Sequence, residues 1–216
     1  MLFQFDSLQE AFTYLGTELG KAKSLWQIRD MNVASRIEAC QTFDLFIKLK
    51  KLAQESGIQA SDLEIISWLD SSNMIYSVLK MLKKNRYVFH TACLFSEYTI
   101  PFSKKRIDYL LCCQDKILII EFSFEKWEEE TFQHYQKLRQ ALEYKELLGN
   151  ILDEDMQIAT FTFLIKPEFG QDKKPIFHTN KDTLQQLASF ITHYFDPNEA
   201  KNAVLAVYNK QNKRTE

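Results

Sequence analysis

Two apolar runs joined by a tight polar turn constrain this chain more than any other part of its sequence. The first run spans residues 104–111, the turn lies at 114–115, and the second run spans residues 116–124. Runs of this length and composition on either side of a short turn are typical of a β-hairpin. Each run carries one carboxylate, Asp108 and Glu121, among residues that a sheet would bury. A buried charge is costly unless it is paired or binds a metal, so these two residues need a physical explanation.

Strand pleating relates the two carboxylates to each other. Because successive side chains point to opposite faces of a strand, Asp108 shares a face with Arg106, and Glu121 shares a face with Ser123. If the two runs pair, Asp108 and Glu121 converge at one edge of the sheet, where they repel each other unless a hard cation lies between them. Oxygen ligands suit Mg²⁺ or Mn²⁺, and a metal held in this way can generate hydroxide and stabilise a phosphoryl transition state.

The order of the predicted elements indicates the fold class. Helices followed by three strands, a helix, a strand and a further helix favour a mixed α/β fold with a central sheet. The 216 residues fit one domain, mainly helical over residues 1–92, with the sheet core at 93–195 and a C-terminal helix and tail at 196–216. The patterns predict helices at 6–26, 32–55, 62–68, 71–84, 128–148 and 182–195, strands at 97–100, 104–111, 116–124, 156–166 and 175–178, and a polar loop at 168–174.

The charge and apolar content exclude several classes of protein. The net charge is −2, so the chain as a whole does not attract nucleic acid or an anionic membrane, and a local patch would have to do so. No apolar run approaches the length of a membrane span, and the N-terminus lacks a charged segment followed by an apolar one. The four cysteines match no metal-binding spacing. We therefore expect a cytoplasmic protein with free thiols and no membrane partner.

The motifs, taken in order, resemble those of the PD-(D/E)xK nuclease superfamily. The segment 106–108, Arg-Ile-Asp, is followed by an apolar strand that ends at Glu121. Gln140 and Tyr144 are similar to the Gln-x-x-x-Tyr element of the RecB-like branch. The resemblance covers roughly residues 33–195. It implies a restriction-endonuclease-like central mixed sheet flanked by helices, with extra N-terminal helices.

The resemblance also implies roles for individual residues. Asp108 and Glu121 would ligate Mg²⁺ or Mn²⁺, and the backbone carbonyl of Phe122 would add a ligand. Glu38, on the first core helix, occupies the place where many members carry a further acidic ligand. The residues expected to contact nucleic acid are Lys104, Gln136, Gln140 and Tyr144.

One position departs from the family pattern. The family's lysine follows the glutamate by two residues, and this chain has Ser123 there, which supplies no cation to the attacking water or the scissile phosphate. We expect Lys126 or Lys105 to take over the catalytic role, as happens in some members. Lys126 is slightly favoured because it lies on the chain leaving the second strand, where a long side chain can fold back. Alternation along the first strand puts Lys105 on the face opposite Asp108.

The function implied by the resemblance is Mg²⁺-dependent hydrolysis of DNA phosphodiester bonds, and a role in defence against foreign DNA follows by analogy. The implied partners are DNA and either a second copy of the chain or a larger defence or helicase complex. Two alternatives stay open. The first is a catalytically degenerate nuclease fold that serves as a nucleic-acid-binding or protein-interaction subunit, which Ser123 favours. The second is an unrelated α/β protein in which Asp108 pairs only with Arg106 or Lys105.

Overall fold

The computed structural model has a mixed α/β fold with a five-stranded sheet between helices. It describes residues 1–21, 33–41, 44–124, 130–165, 167–169, 175–177 and 181–195. In chain order the described elements are β1 (Phe3–Phe5), α1 (Leu8–Lys21), α2 (Val33–Cys40), α3 (Asp44–Glu55), α4 (Asp62–Leu82), α5 (Arg86–Thr91), β2 (Cys93–Thr99), β3 (Arg106–Cys113), β4 (Lys116–Phe124), α6 (Glu130–Gly149), β5 (Gln157–Ile165), β6 (Pro167–Phe169), β7 (Pro175–Phe177) and α7 (Lys181–Tyr194).

The sheet has the strand order β1-β2-β3-β4-β5. The first four strands pair antiparallel with their neighbours, and β5 pairs parallel to β4. A parallel neighbour requires a crossover connection, and α6 provides it. Apolar side chains from the two faces of the sheet form two separate clusters. One cluster packs under α6, and the other packs against α1, α4 and α7, so the sheet lies between two helical layers.

Helix α4 is continuous over 21 residues, where the sequence predicts two helices at 62–68 and 71–84. The polar pair Ser71 and Ser72, directly after the predicted break, is buried. Ser72 Oγ lies 2.9 Å from the hydroxyl of Tyr109 on β3, and Ser71 Oγ donates to the Trp68 carbonyl at 3.2 Å. Because buried polar groups with partners cost little, the helix continues through them and packs on the sheet.

Two strands lie where the sequence predicts none. Residues 1–92 are predicted to be mainly helical, yet β1 pairs with β2 at the edge of the sheet, and the Phe3 N–H donates to Ser96 Oγ at 3.0 Å. Strand β6 overlaps the predicted polar loop at 168–174 and pairs with β7 in a separate hairpin. The predicted helix and tail at 196–216 lie outside the described residues. None of the helices in the described ranges has the length and apolar run that a membrane crossing needs.

Candidate functional site

The ladder between β3 and β4 opens into a fork beside Asp108 and Glu121. Backbone pairing between the two strands extends to Tyr109 and Ile120 and stops there. Beyond this point β3 stays paired with β2, and β4 stays paired with β5. Two strands held by opposite neighbours diverge, and their facing backbone N–H groups then need other acceptors.

The two carboxylates supply those acceptors. The Asp108 N–H donates to Glu121 Oε1 at 3.0 Å, and the Phe122 N–H donates to Asp108 Oδ2 at 2.8 Å. Each side chain thus takes the place of a backbone carbonyl of its own strand and accepts from an N–H of the opposite strand. The Glu121 side chain is fully buried, whereas the Asp108 side chain is 25% exposed. The structure therefore brings Asp108 and Glu121 together inside the fork, with Asp108 accessible from outside.

Lys137 is a third member of this site that the sequence analysis missed. Its ammonium group lies 2.9 Å from Glu121 Oε2 and 3.6 Å from Asp108 Oδ2. The lysine lies on α6, the crossover helix that packs over β4 and β5. A lysine in a polar helix resembles an ordinary solvated residue. Its spacing carries a signal, however, because Lys137 precedes Gln140 by three residues and Tyr144 by seven, which puts all three on one helical face.

Two ionisable side chains in the fork, Glu121 and Lys137, have raised pKa values. Burial raises the pKa of Glu121 to about 7, and the charge of Asp108 adds to the shift, while Lys137 and the Asp108 N–H oppose it. Burial acts against the charge of Lys137, but Asp108 and Glu121 together outweigh it and raise the pKa of this lysine. The raised pKa of Glu121 favours its neutral acid form, whereas the raised pKa of Lys137 favours an ion pair between the two side chains. We assign the charge to Lys137 and the titration near neutral pH to Glu121, because Glu121 is fully buried beside a second carboxylate.

A partly buried ion-pair network lies next to the fork. Glu97 on β2 is buried, and its Oε2 lies 3.4 Å from Arg106 Nε. The guanidinium of Arg106 also donates to Glu64 on α4 and lies 5.8 Å from the ring centroid of Trp68. Burial raises the pKa of Glu97 to about 8, with Asp108 adding to the shift and Arg106 opposing it. The network therefore places further ionisable side chains beside Asp108.

Glu97 has a left-handed backbone conformation, with φ at +49°. Bulky residues other than glycine rarely adopt this conformation, and it costs of order 1–3 kcal/mol when it is enforced. The alternation of side chains between the two faces of the sheet changes at Glu97. Odd-numbered Cys93 and Phe95 face the cluster under α6 before this residue, and even-numbered Tyr98 and Ile100 face it afterwards. The sheet thus changes its facing pattern directly beside the fork.

A cleft of about 730 Å³ lies in front of the fork. Helix α4 contributes one wall and α6 the other, while the sheet and the loop between β2 and β3 contribute the rest. Its lining carries charges of both signs and several amide and hydroxyl groups, which suits a polar ligand better than an apolar one. The lining residues are Glu64, Ser67, Trp68, Ser71, Glu97, Lys104, Lys105, Arg106, Asp108, Phe122, Ser123, Gln136, Lys137, Gln140, Glu143 and Tyr144.

The residues predicted to contact nucleic acid lie together in this cleft. Gln136, Gln140 and Tyr144 reach it from α6, and Lys104 reaches it from the loop before β3. The Gln140 side-chain amide donates to the Tyr144 hydroxyl, which joins the two predicted partners. Burial, followed by the charge of Glu121, raises the pKa of Tyr144, so its hydroxyl stays protonated and remains a hydrogen-bond donor.

Three other predicted residues have different surroundings. Lys105 lines the cleft, but its ammonium pairs with Glu143 of α6. Glu38 is exposed on α2 and does not line the cleft. Of the helices that precede β2, α4 contributes an acidic residue to the lining, Glu64. Lys126 lies outside the described residues.

The fork offers hard oxygen ligands for a metal ion. The Lys137 ammonium already lies between the carboxylates of Asp108 and Glu121, so the pair is arranged to hold positive charge. The Phe122 N–H points into the fork, and in a strand the carbonyl of the same residue points to the same neighbour. The two carboxylates and this carbonyl are oxygen ligands of the kind that Mg²⁺ and Mn²⁺ prefer. Within the described part of the chain, no group of three or more His, Cys, Asp and Glu side chains is placed to hold a metal.

Comparison with known proteins gives no relative for this chain. No protein-family model, no curated protein and no solved structure matches it. The assignment of a function therefore depends on the side chains of the fork and the cleft.

Proposed function

We propose that the protein is a divalent-metal-dependent nuclease of the PD-(D/E)xK type that hydrolyses DNA phosphodiester bonds. The observation that carries this proposal is the fork, where Asp108 and Glu121 converge from adjacent strands with the Lys137 ammonium between them. The element order supports it, since three antiparallel strands, the crossover helix α6 and the parallel strand β5 agree with the core expected from the sequence resemblance.

Asp108, Glu121 and the Phe122 carbonyl are the residues that would hold the metal. Bound there, Mg²⁺ or Mn²⁺ would lower the pKa of the attacking water and neutralise charge that builds up on the phosphoryl oxygens. The partly exposed Asp108 carboxylate faces the cleft, so an ion can reach it from solvent. The buried Glu121 is held by its bonds to the Asp108 N–H and to Lys137, which limits its movement.

Lys137 supplies the cation that Ser123 cannot supply. An ammonium group has three donors, and the hydrogen bond to Glu121 uses one of them, while Asp108 is an ion-pair partner at 3.6 Å. Because Lys137 also lines the cleft, donors remain for an oxygen of the scissile phosphate or of the attacking water. We therefore give Lys137 the role that the sequence analysis assigns to Lys126 or Lys105.

The cleft provides contacts for the strand on either side of the scissile phosphate. Lys104 is an exposed lining residue, and Gln136 and Gln140 present amide groups from α6. Cations bind phosphates irrespective of sequence, whereas amides can donate to phosphates or to base edges. The substrate would therefore be held by individual contacts to Lys104, Gln136 and Gln140, since the cleft as a whole carries charges of both signs.

The test is cleavage of supercoiled plasmid by purified protein in Mn²⁺ or Mg²⁺. Wild type should nick the plasmid, and Asp108→Asn and Glu121→Gln should reduce the rate by at least the roughly hundred- to thousandfold typical of a lost electrostatic group. Lys145→Met, which alters an exposed lysine on the same helix, is the matched control and should cut like wild type. Equal cutting by Asp108→Asn would mean that the fork is not the active site.

A catalytically degenerate fold is the second candidate, and one observation favours it. Both carboxylate oxygens of Glu121 already accept protein donors, from the Asp108 N–H and from Lys137. A carboxylate satisfied in this way has less need of a metal ion. Under this candidate, wild type would cut no single- or double-stranded nucleic acid in either ion, yet would still bind DNA or a protein through the cleft.

A further inference from the structure

Four exposed cations lie close together where α4 ends and α5 begins. We call this set the basic patch, and its members are Lys80, Lys83, Lys84 and Arg86. The sequence has no Asp or Glu between Asp70 and Glu97, so the segment around the patch carries no acid of its own. No ion pair between described residues includes any of these four cations. The patch is therefore a local concentration of positive charge on a chain whose net charge is −2.

Helix stability explains only part of this charge. Cations near the C-terminal end of a helix interact favourably with the negative end of its dipole, which accounts for Lys80 and Lys83 on α4. Arg86 has the opposite relation to a helix, because it begins α5, where the end of the dipole is positive and disfavours a cation. The patch thus carries more positive charge than the two helices need.

Contacts with aromatic rings hold part of the patch in place. The ammonium of Lys80 lies 4.3 Å from the ring centroid of Tyr76, and that of Lys83 lies 5.2 Å from the ring centroid of Phe12. Asn85 fixes the corner between the two helices by capping the start of α5. Side chains that are already positioned lose less conformational entropy when they bind a partner, so the patch is prepared for an anionic surface.

The surroundings of the patch indicate the kind of anionic partner. None of the exposed large apolar side chains of the described residues lies between residues 80 and 91. Binding to a membrane surface requires apolar side chains that enter the lipid, in addition to cations. The centre of a protein interface is likewise rich in aromatic residues and depleted in lysine. The phosphates of a nucleic acid need cations alone, so nucleic acid is the partner that the patch fits.

We propose that the basic patch binds the phosphate backbone of duplex DNA outside the cleft. The cleft takes its α4 residues from positions 64–71, in the first half of the helix. Lys83 lies 12 residues beyond Ser71, which is about 18 Å along the helix axis, so the two surfaces are distinct. A duplex carries more charge per unit length than a single strand and offers no free base faces, which suits cations without exposed rings. The choice of DNA rests on the proposed nuclease function, whereas binding to the patch does not require the fork.

Binding is measured in EDTA by fluorescence polarisation of a labelled duplex DNA over a range of salt concentrations. The logarithm of the binding constant falls with the logarithm of salt concentration by about 0.9 for each phosphate contact. The double variant Lys83→Gln and Lys84→Gln removes two cations, so its slope should be shallower by about 1.8. The ratio of wild-type to variant affinity should then fall about 12-fold between roughly 50 and 200 mM salt. Because both side chains are exposed, the melting temperature should stay close to that of wild type.

The matched control is the double variant Lys51→Gln and Lys145→Gln, which removes two exposed lysines from α3 and α6 and has the same net charge. It should bind DNA with the wild-type slope. The inference is overturned if both double variants change the slope equally, or if the Lys83 and Lys84 variant keeps the wild-type slope. Tighter binding of duplex RNA or of phosphatidylserine vesicles than of duplex DNA would also overturn it.

Cleavage of the same DNA in Mn²⁺ separates this inference from the nuclease proposal. Salt-dependent binding through the patch by a protein that cuts no DNA supports the patch and contradicts the nuclease. Cutting by wild type, together with an unchanged slope in the Lys83 and Lys84 variant, does the reverse.

Discussion

Replacing Lys137 by methionine should destabilise the fold, and the loss should grow with pH. Methionine keeps the apolar stem but removes the ammonium that lies 2.9 Å from Glu121 Oε2 and 3.6 Å from Asp108 Oδ2. Removing one partner of a buried ion pair costs roughly 3–5 kcal/mol. The Lys137 side chain is 26% exposed, so water replaces part of the lost interaction. We therefore expect a loss in the free energy of unfolding of about 3 kcal/mol at pH 8, at the low end of that range.

The pH dependence follows from the protonation of Glu121. Burial and the charge of Asp108 raise its pKa from the ordinary 4.5 to about 7 in the wild-type fold. Because this pKa is raised on folding, the stability that the group contributes is fully present below pH 4.5 and is lost as pH rises through the folded-state value. Without Lys137 the folded-state pKa of Glu121 rises further, so the variant goes on losing stability above pH 7. The penalty should thus be smaller near pH 5 than at pH 8, by about 1.4 kcal/mol for the one unit that separates the wild-type pKa from pH 8.

Urea unfolding at pH 5.5 and pH 8 measures this directly. A loss of about 3 kcal/mol corresponds to a fall in melting temperature of roughly 6–12 °C for a chain of this size. Lys145→Met, on the exposed side of α6, should unfold like wild type at both pH values. Adding Glu121→Gln to Lys137→Met should restore much of the loss at pH 8, because the uncompensated charge is gone. An equal loss at the two pH values would refute the pairing of Lys137 with the buried acid.

Two further predictions concern the same region. Glu97→Gln should gain stability relative to wild type as pH rises. Burial, with Asp108 adding to it, raises the pKa of Glu97 from 4.5 to about 8, so wild type loses the stability contributed by the protonated acid over this interval. Melting temperatures of the two proteins that change in parallel between pH 6 and pH 9 would contradict this. Millimolar Mn²⁺ should raise the melting temperature of wild type and not that of Asp108→Asn, since an ion that binds only the folded state stabilises it. A shift of equal size in both proteins would place the ion elsewhere.

The hairpin and its two acids could be predicted from the sequence because their signals are local. Apolar runs around a two-residue turn define β3 and β4, and a carboxylate within each run is visible without knowledge of the fold. The opening of the ladder beside Asp108 and Glu121 was not predictable in this way. It depends on β3 being held by β2 and β4 by β5, and those pairings involve residues distant in the sequence.

The contributions of the helices depended on packing that the sequence does not show. Lys137 reaches the fork because α6 crosses over β4 and β5. Its spacing to Gln140 and Tyr144 indicates a shared helical face, but not the surface on which that face packs. Glu38 and Glu64 are equally plausible as the acid from a preceding helix. Glu64 rather than Glu38 lines the cleft because α4 lies against the sheet, with Ser72 bonded to Tyr109 in the strand that carries Asp108. Local patterns thus predict elements and acids, while the docking of helices decides which further residues join them.

The most direct test of the account is whether the cation of the site can be moved from α6 to β4. Ser123 lines the cleft two residues after Glu121, at the position where the resemblance places a lysine. In single-turnover cleavage of DNA with Mn²⁺, Lys137→Met should cut roughly a hundred- to a thousandfold more slowly than wild type, as for other lost electrostatic groups. The double variant with Ser123→Lys, shown to be folded by its circular dichroism, should recover a large part of that rate. Cleavage by Lys137→Met at the wild-type rate would contradict the account.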